Sequence, residues 1–366
     1  MLRYLADYQE LFGPLRLFDY VTFRAGGAAF TAMLLVLIFG PATIRRLKKF
    51  NTVAPTRLEG LVAGEFIDRT KDKTPSMGGI LIIAAITVAT MLWATISNPL
   101  VVIFLFTLIA LGLVGFQDDY TKVFRAKKMG MSGRVKLLLQ FLIAVLAVIL
   151  LDFALGKGNF LRDFMVPFLK KPLVTELPLL VVLAFSALVM VGASNAVNLT
   201  DGKDGLASGC MIFCSLTYAV FAYLCGHKIF AGHLNIPFIP GISEVAIFAA
   251  AISGACIGFL WYNCHPAAMF MGDTGSLPLG GTIGLIAVLV RQELVLVLVG
   301  GVFVMEALSV ILQVISFKLT KKRIFLCTPI HHHFEQKKWT ETQIVVRFWI
   351  LAGVCALLGL ATLKIR

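Results

Sequence analysis

Charge is what this sequence has least of. Only 14% of its 366 residues are Asp, Glu, Lys or Arg, against 58% hydrophobic, and the mean hydropathy is +0.88. That balance excludes a soluble fold of ordinary composition. Long polar stretches are also missing. Runs of about 20 apolar residues, enough to cross roughly 30 Å of hydrocarbon, recur throughout and leave no room for a sizeable soluble domain. The expectation is a single all-α domain over residues 1–366, a polytopic integral membrane protein. The seven cysteines, at 210, 214, 225, 256, 264, 327 and 355, show no paired spacing. A disulfide framework is thereby excluded, and Cys210 and Cys214 read as small packing residues rather than metal ligands. Residues 1–20 lack the pattern of a signal peptide, because Asp7, Glu10 and Asp19 interrupt them. With Leu2, Tyr4, Leu5, Leu11, Phe12, Leu15 and Phe18, they read as an interfacial segment.

The apolar runs predict about ten transmembrane helices, over 21–43, 77–97, 99–117, 135–155, 178–194, 205–225, 243–263, 277–290, 294–317 and 343–364. Two of these, 178–194 and 277–290, are short for a bilayer. Five polar segments between the runs all fall on one side by this count: Lys73 to Gly79 (KTPSMGG), Asp118 to Lys122 (DDYTK), Asn195 to Gly205 (NAVNLTDGKDG), Asn263 to Ser276 (NCHPAAMFMGDTGS) and Pro329 to Glu335 (PIHHHFE). The loops on that side carry twenty Lys and Arg, those on the other ten. Positive residues concentrate in cytoplasmic loops, so the motif face is expected in the cytoplasm and both termini on the outer, periplasmic side. The net charge of +13 then serves topology and contact with anionic membrane lipids, and no nucleic-acid partner is implied.

Asp118 and Asp119 follow an apolar helix directly. Carboxylates at a helix C-terminus oppose the macrodipole, so the pair calls for a divalent ion or a cationic partner, and Lys122 stands one turn away. Asn195, Asn198, Asp201 and Asp204 recur every third residue, which on a helical path makes one polar stripe; Gly202 and Gly205 allow a break. Such a stripe where membrane helices meet is costly unless used. Asp273 lies between Gly272 and Gly275 at a predicted helix start, where backbone N–H groups favour an anion, and is the sharpest candidate for a Mg²⁺ ligand. It also reads as a plain N-cap. Phe270 suits either a nucleobase or an interfacial anchor. His331, His332 and His333 are successive and cannot easily reach one metal, so phosphate contact and proton handling fit them better. Lys73 adds a cation before a tight turn. Together the segments supply carboxylates for a cation, donors for phosphate and glycines for close approach. The implied chemistry is Mg²⁺-dependent phosphoryl or phospho-sugar transfer to a lipid.

The segments TPSMGG, GFQDDYTK, NAVNLTDGKDGLA, FMGDTGSLPLGG and PIHHHFE, followed by VVRFWI at Val345 to Ile350, resemble in order the phospho-N-acetylmuramoyl-pentapeptide transferases. These lie within the polyprenyl-phosphate N-acetylhexosamine-1-phosphate transferase superfamily. The resemblance implies transfer of phospho-MurNAc-pentapeptide from UDP-MurNAc-pentapeptide to undecaprenyl phosphate, giving lipid I and UMP for peptidoglycan synthesis at the bacterial inner membrane. It also implies ten helices, cytoplasmic catalysis, Mg²⁺ and a homodimer. On this chain the family's metal-binding Asp falls on Asp273, and its Asp pair on Asp118 and Asp119, with Asp118 the proposed base for the lipid phosphate. One-step attack and a two-step route through a phospho-enzyme are both compatible with these residues. The family's nucleotide-contacting positions fall on Lys73, Asn195, Asn198, Asp201, Asp204, Asn263 and Phe270, with His331 to His333 nearby; Lys122, beside the Asp pair, reads as a contact for Mg²⁺-bound diphosphate. Two positions depart from the pattern: Lys203, where the family usually has an apolar residue, and Pro278, where Ala is common. The rival readings are a sister transferase acting on UDP-GlcNAc and, from another class, a cation-coupled transporter. A transporter should place its carboxylates at mid-membrane in repeated broken helices, whereas here they gather at helix ends on one face.

Overall fold

The first twenty residues form two 3-10 turns, Leu2–Tyr8 and Gly13–Asp19, that lie across the end of the bundle away from the polar motifs. The Met1 amine donates to the Met91 and Ala94 carbonyls, and Leu11 and Phe12 stay exposed, as an interfacial segment requires. The computed structural model describes residues 1–50, 74–124, 130–156, 159–169 and 171–364. In chain order its helices are α1 (Val21–Lys49), α2 (Gly79–Trp93), α3 (Pro99–Phe124), α4 (Gly133–Ala154), α5 (Leu179–Thr200), α6 (Leu206–Cys225), α7 (Lys228–Leu234), α8 (Ser243–Asn263), α9 (Asp273–Leu289), α10 (Glu293–Val299), α11 (Gly301–Thr320), α12 (Ile330–Gln336) and α13 (Glu341–Ala361). No β-strand is present among the described residues.

The protein is thus all-α and polytopic. Among the described residues, eight helices are long and apolar enough to cross a membrane: α1, α3, α4, α5, α6, α8, α11 and α13. The apolar α2 and α9 are shorter, at 15 and 17 residues.

Several boundaries differ from the sequence expectation, each for a physical reason. Helix α3 runs on through DDYTK instead of ending at 117, because Lys122 sits one turn below Asp118 and relieves its charge. Helix α5 extends to Thr200, so Asn195 and Asn198 are helical; the path breaks at Asp201, and Gly205, whose φ of +79° is left-handed, opens α6. The apolar run 294–317 is divided into α10 and α11 at Gly300–Gly301. Helix α9 starts at Asp273, not 277, so Pro278 is its sixth residue rather than part of the first turn.

Helix α9 is buried along its whole length, with α3 and α5 against it, and α8 is nearly so. Small residues make this possible. A Cβ at Gly280 would meet the Ala193 carbonyl of α5, and one at Gly254 of α8 would meet the Ala29 carbonyl of α1. Close backbone approach of this kind holds membrane helices where no hydrophobic effect distinguishes neighbour from lipid. At the end away from the motifs, Arg24 of α1 and Glu244 of α8 form a fully buried bidentate pair, both N–H···O distances 2.7 Å, and Glu244 also accepts the Thr95 N–H at 2.8 Å. That pair ties α1, α8 and the end of α2 together.

Candidate active site

Helices α3 and α9 pack alongside each other, and the C-terminal turns of α3 meet the α9 N-terminus at the motif face. Asp119 of α3 spans the α9 N-terminus: its Oδ1 accepts the Asp273 N–H at 3.2 Å, and its Oδ2 accepts the Thr274 N–H and hydroxyl at 2.9 and 2.7 Å. The anion at the positive end of this helix is thus a carboxylate of the chain itself. Lys122 Nζ lies 2.7 Å from Asp118 Oδ2, 2.9 Å from Asp273 Oδ2 and 3.7 Å from Asp119 Oδ1. Lys136, at the start of α4, lies 2.6 Å from Asp273 Oδ2 and 3.4 Å from Asp118 Oδ2. Three carboxylates therefore face two ammonium groups, one formal negative charge in excess. Asp118 Oδ1 accepts the Met131 N–H at 2.7 Å, and Asn198 bridges Asp273 Oδ1 and Ser276 Oγ at 2.8 and 2.9 Å.

The expected polar stripe of α5 does not converge on one point. Asn198 reaches Asp273, whereas Asn195 donates to Gln140 Oε1 of α4 and to the Val191 carbonyl, both at 2.8 Å. Burial together with the neighbouring Asp273 and Asp119 carboxylates holds the Asp201 carboxyl well above the usual range. Asp204 turns away from the carboxylates, because α5 has already ended at Thr200: its Oδ2 meets His265 Nδ1 and the Ala267 N–H, each at 3.1 Å. Asn263 is buried with its amide in use at both ends, its oxygen accepting from Gly205 N–H and Ser208 hydroxyl and its nitrogen donating to the Met269 carbonyl. Phe270 is half-buried, its N–H on the Pro75 carbonyl and its own carbonyl on Gly78 N–H, so the TPSMGG segment lies against 267–271. Lys73 itself lies outside the described residues. His331 is buried with Nδ1 3.1 Å from Glu306 Oε2, His332 Nδ1 is 2.8 Å from Glu335 Oε2, and His333 Nδ1 accepts the Leu326 N–H.

Reading the residues missed Lys136, Gln140, Glu306, Glu335 and Glu341. A signal was available for three of them. Lys136, Gln140 and Glu306 interrupt otherwise apolar helices, and an ionisable or amide group there is expensive unless it has work to do. Glu341 accepts the Asp204 N–H at 3.0 Å, a contact across 137 residues that no local pattern announces.

Close packing sets the position of Asp273. A Cβ at Gly115 of α3 would collide with the Asp273 carbonyl, and one at Gly79 with the Gly275 backbone. Gly115→Ala is therefore expected to displace the α9 N-terminus and lower turnover by about 10²-fold, the loss associated with a misplacement near 1 Å. Circular dichroism should be unchanged; wild-type turnover in this variant would contradict the contact.

Asp118 and Asp273 offer carboxylate oxygens, the ligand type a hard divalent cation takes, whereas Asn198 turns its amide nitrogen to Asp273 and Asp119 is committed to the α9 N-terminus. A family model for glycosyl transferase family 4 matches residues 101–291, and the phospho-N-acetylmuramoyl-pentapeptide-transferase signature 1 matches residues 71–83. The chain is 49% identical to a phospho-N-acetylmuramoyl-pentapeptide-transferase of Neisseria gonorrhoeae over 100% of both chains. It is 48% identical to one of Koribacter versatilis over 97% of this chain and 96% of that one, and 45% identical to one of Methylacidiphilum infernorum over 100% of both.

Proposed function

Because the chain belongs to glycosyl transferase family 4 and to the phospho-N-acetylmuramoyl-pentapeptide-transferases, we propose that it catalyses the transfer for which those relatives are named, with undecaprenyl phosphate as the acceptor. An oxygen of the lipid phosphate attacks the sugar-bearing phosphorus of UDP-MurNAc-pentapeptide, the bond from that phosphorus to the bridging oxygen breaks, and UMP leaves with the electron pair. Lipid I is the product. The observation that carries this reading is the buried meeting of Asp118, Asp119 and Asp273 with Lys122 and Lys136, at the ends of apolar helices where a lipid head group and a water-soluble nucleotide can meet.

Phosphoryl transfer needs little covalent help from a protein; positioning and charge compensation supply most of the rate. Asp273 would hold Mg²⁺, with Asp118 beside it, and the ion when bound offsets the negative charge of the diphosphate. Asp119 holds the α9 N-terminus and thereby fixes where Asp273 stands. Lys122 and Lys136 are the fixed cations nearest the reacting phosphates. Asp118 would take the proton of a monoprotonated lipid phosphate. Asn195, Asn198, Asp201, Asp204, Asn263, Phe270 and Lys73 are assigned to the nucleotide side of the site, and the three histidines to its rim. The apolar grooves between helices would take the prenyl chain. Counting α2 and α9 as spans gives ten crossings, with the motif face in the cytoplasm, both termini outside, residues 1–366 one catalytic domain, and a homodimer in the bacterial inner membrane.

The test is UMP release by purified protein given undecaprenyl phosphate and either UDP-MurNAc-pentapeptide or UDP-GlcNAc, with Mg²⁺ or with EDTA. Release that needs the lipid, the muramoyl nucleotide and Mg²⁺ is expected. Release with UDP-GlcNAc alone would transfer the assignment to the sister enzyme, release undiminished by EDTA would remove the metal, and no release from folded protein would reopen the transporter reading.

A further inference from the structure

The loop between α5 and α6 reaches a different partner with each successive residue. Asp201 lies close enough to Asp273 and Asp119 for their carboxylates to raise its own. Gly202 lies flat against His331, where an added Cβ would stand 2.5 Å from the ring Nε2. Lys203 Nζ lies 2.5 Å from Glu335 Oε1 of α12, and Asp204 meets His265. Lys203 is one of the two departures from the resemblance, and here it bonds neither neighbouring aspartate. It is buried, and it ends on the same carboxylate whose other oxygen meets His332 Nδ1 at 2.8 Å.

We propose, resting on the transferase reading above, that Lys203 is a positioning residue of this chain: through Glu335 it fixes the tautomer and protonation of His332 and clamps α12 onto the α5–α6 loop. A carboxylate only accepts hydrogen bonds, so the neutral imidazole beside it must carry its proton on Nδ1. Nε2 is then the free acceptor at the site. Glu335 has one oxygen for each partner, and the Lys203 charge decides how strongly that carboxylate draws a proton onto His332.

The electrostatics of the cluster agree. Burial pushes Glu335 up, yet hydrogen bonds from His332 and Lys203 bring it down to about 2. His332 is held below its ordinary value, first by burial and then by His331 and Lys203, against the upward pull of Glu335. His331, whose ring centroid is 4.2 Å from that of His332, is itself bonded to Glu306 of α11. The charged and titratable groups facing His332 are thus Glu335 and His331 from α12 and Lys203 from the loop, with Glu306 behind His331. Lys203→Met removes a downward influence and leaves the carboxylate uncompensated, so His332 must titrate at higher pH. Glu335→Gln removes the upward influence, so it must titrate at lower pH.

Opposite displacements of one histidine separate positioning from a general loss of structure. The experiment follows the ring Cε1 resonances of histidine-labelled protein in detergent micelles; the chain has six histidines, and His332→Gln identifies the resonance. The pH profile of UMP release is measured on the same preparations. The expected result is an upward shift of the His332 titration in Lys203→Met, a downward shift in Glu335→Gln and restoration in Lys203→Arg. The Met and Gln variants should lose about ten- to a hundredfold in kcat, as when the partner orienting a functional histidine is removed. Titration and kcat unmoved in both variants would overturn the proposal. So would equal losses in Lys203→Met and Lys203→Arg with the titration fixed, which mark a packing role. Absence of UMP release from the wild-type protein would instead overturn the transferase reading, while the titrations would still report on the Lys203–Glu335–His332 contact. Should Lys203→Met fail to fold, Lys203→Gln provides the neutral variant.

Discussion

Asp273→Asn is expected to lower the rate of UMP release by about 10³-fold, the upper end of what removing one preorganised electrostatic group costs, with the protein still folded. The two carboxylate oxygens serve three donors: Lys122 at 2.9 Å and Lys136 at 2.6 Å on Oδ2, and Asn198 at 2.8 Å on Oδ1. An asparagine of the same shape offers one oxygen and one NH₂. Whichever way it turns, a donor faces a donor, and the site loses the carboxylate that would hold Mg²⁺. Asp119→Asn acts differently, because its carboxylate caps the α9 N-terminus; losses there should follow displacement of Asp273 more than loss of a ligand. Asp118→Asn removes the carboxylate shared by both lysines and should also reduce turnover strongly. Near-normal release from Asp273→Asn, measured at saturating Mg²⁺, would take Asp273 out of the metal role.

The largest stability effect is expected far from that chemistry. Arg24→Met should destabilise the fold by about 3–5 kcal/mol, because it leaves Glu244 as an uncompensated charge within a buried site. The bidentate geometry and the nearly complete burial of both side chains place this pair outside the class of weak surface bridges. The second half of the prediction is a recovery. Arg24→Met combined with Glu244→Leu should regain most of the loss, since replacing both members of a buried pair by apolar groups is often neutral. Thermal unfolding in detergent, followed by helical circular dichroism, reads both. A double variant less stable than Arg24→Met alone would show that the Thr95 N–H bond to Glu244, not the charge pairing, holds this end of the bundle.

The membrane class and most helices were legible because hydropathy acts over twenty residues at a time and needs no knowledge of neighbours. The carboxylates Asp118, Asp119 and Asp273 were legible too, since charge is rare enough in this chain to stand out. What the sequence could not convey was partnership. That Asp119 serves as the cap of α9, 154 residues away, depends on Gly115 letting α3 approach the Asp273 carbonyl. The stripe from Asn195 to Asp204 has regular spacing, yet α5 ends at Thr200 and Asp204 goes to His265. Lys203 stands between Asp201 and Asp204 in sequence, yet it bonds Glu335 across 132 residues. Helix ends were misplaced where a charge was expected to stop a helix and a local counter-charge allowed it to continue, as at Lys122.

The central claim is that this constellation moves a phospho-sugar onto a lipid. Mass spectrometry of the lipid recovered after incubation with undecaprenyl phosphate, UDP-MurNAc-pentapeptide and Mg²⁺ tests it most directly. The expected product is undecaprenyl diphosphate bearing MurNAc-pentapeptide, in amount equal to the UMP released and absent from the Asp273→Asn reaction. Unmodified lipid alongside free UMP, or the same product in equal yield from Asp273→Asn, would contradict the account.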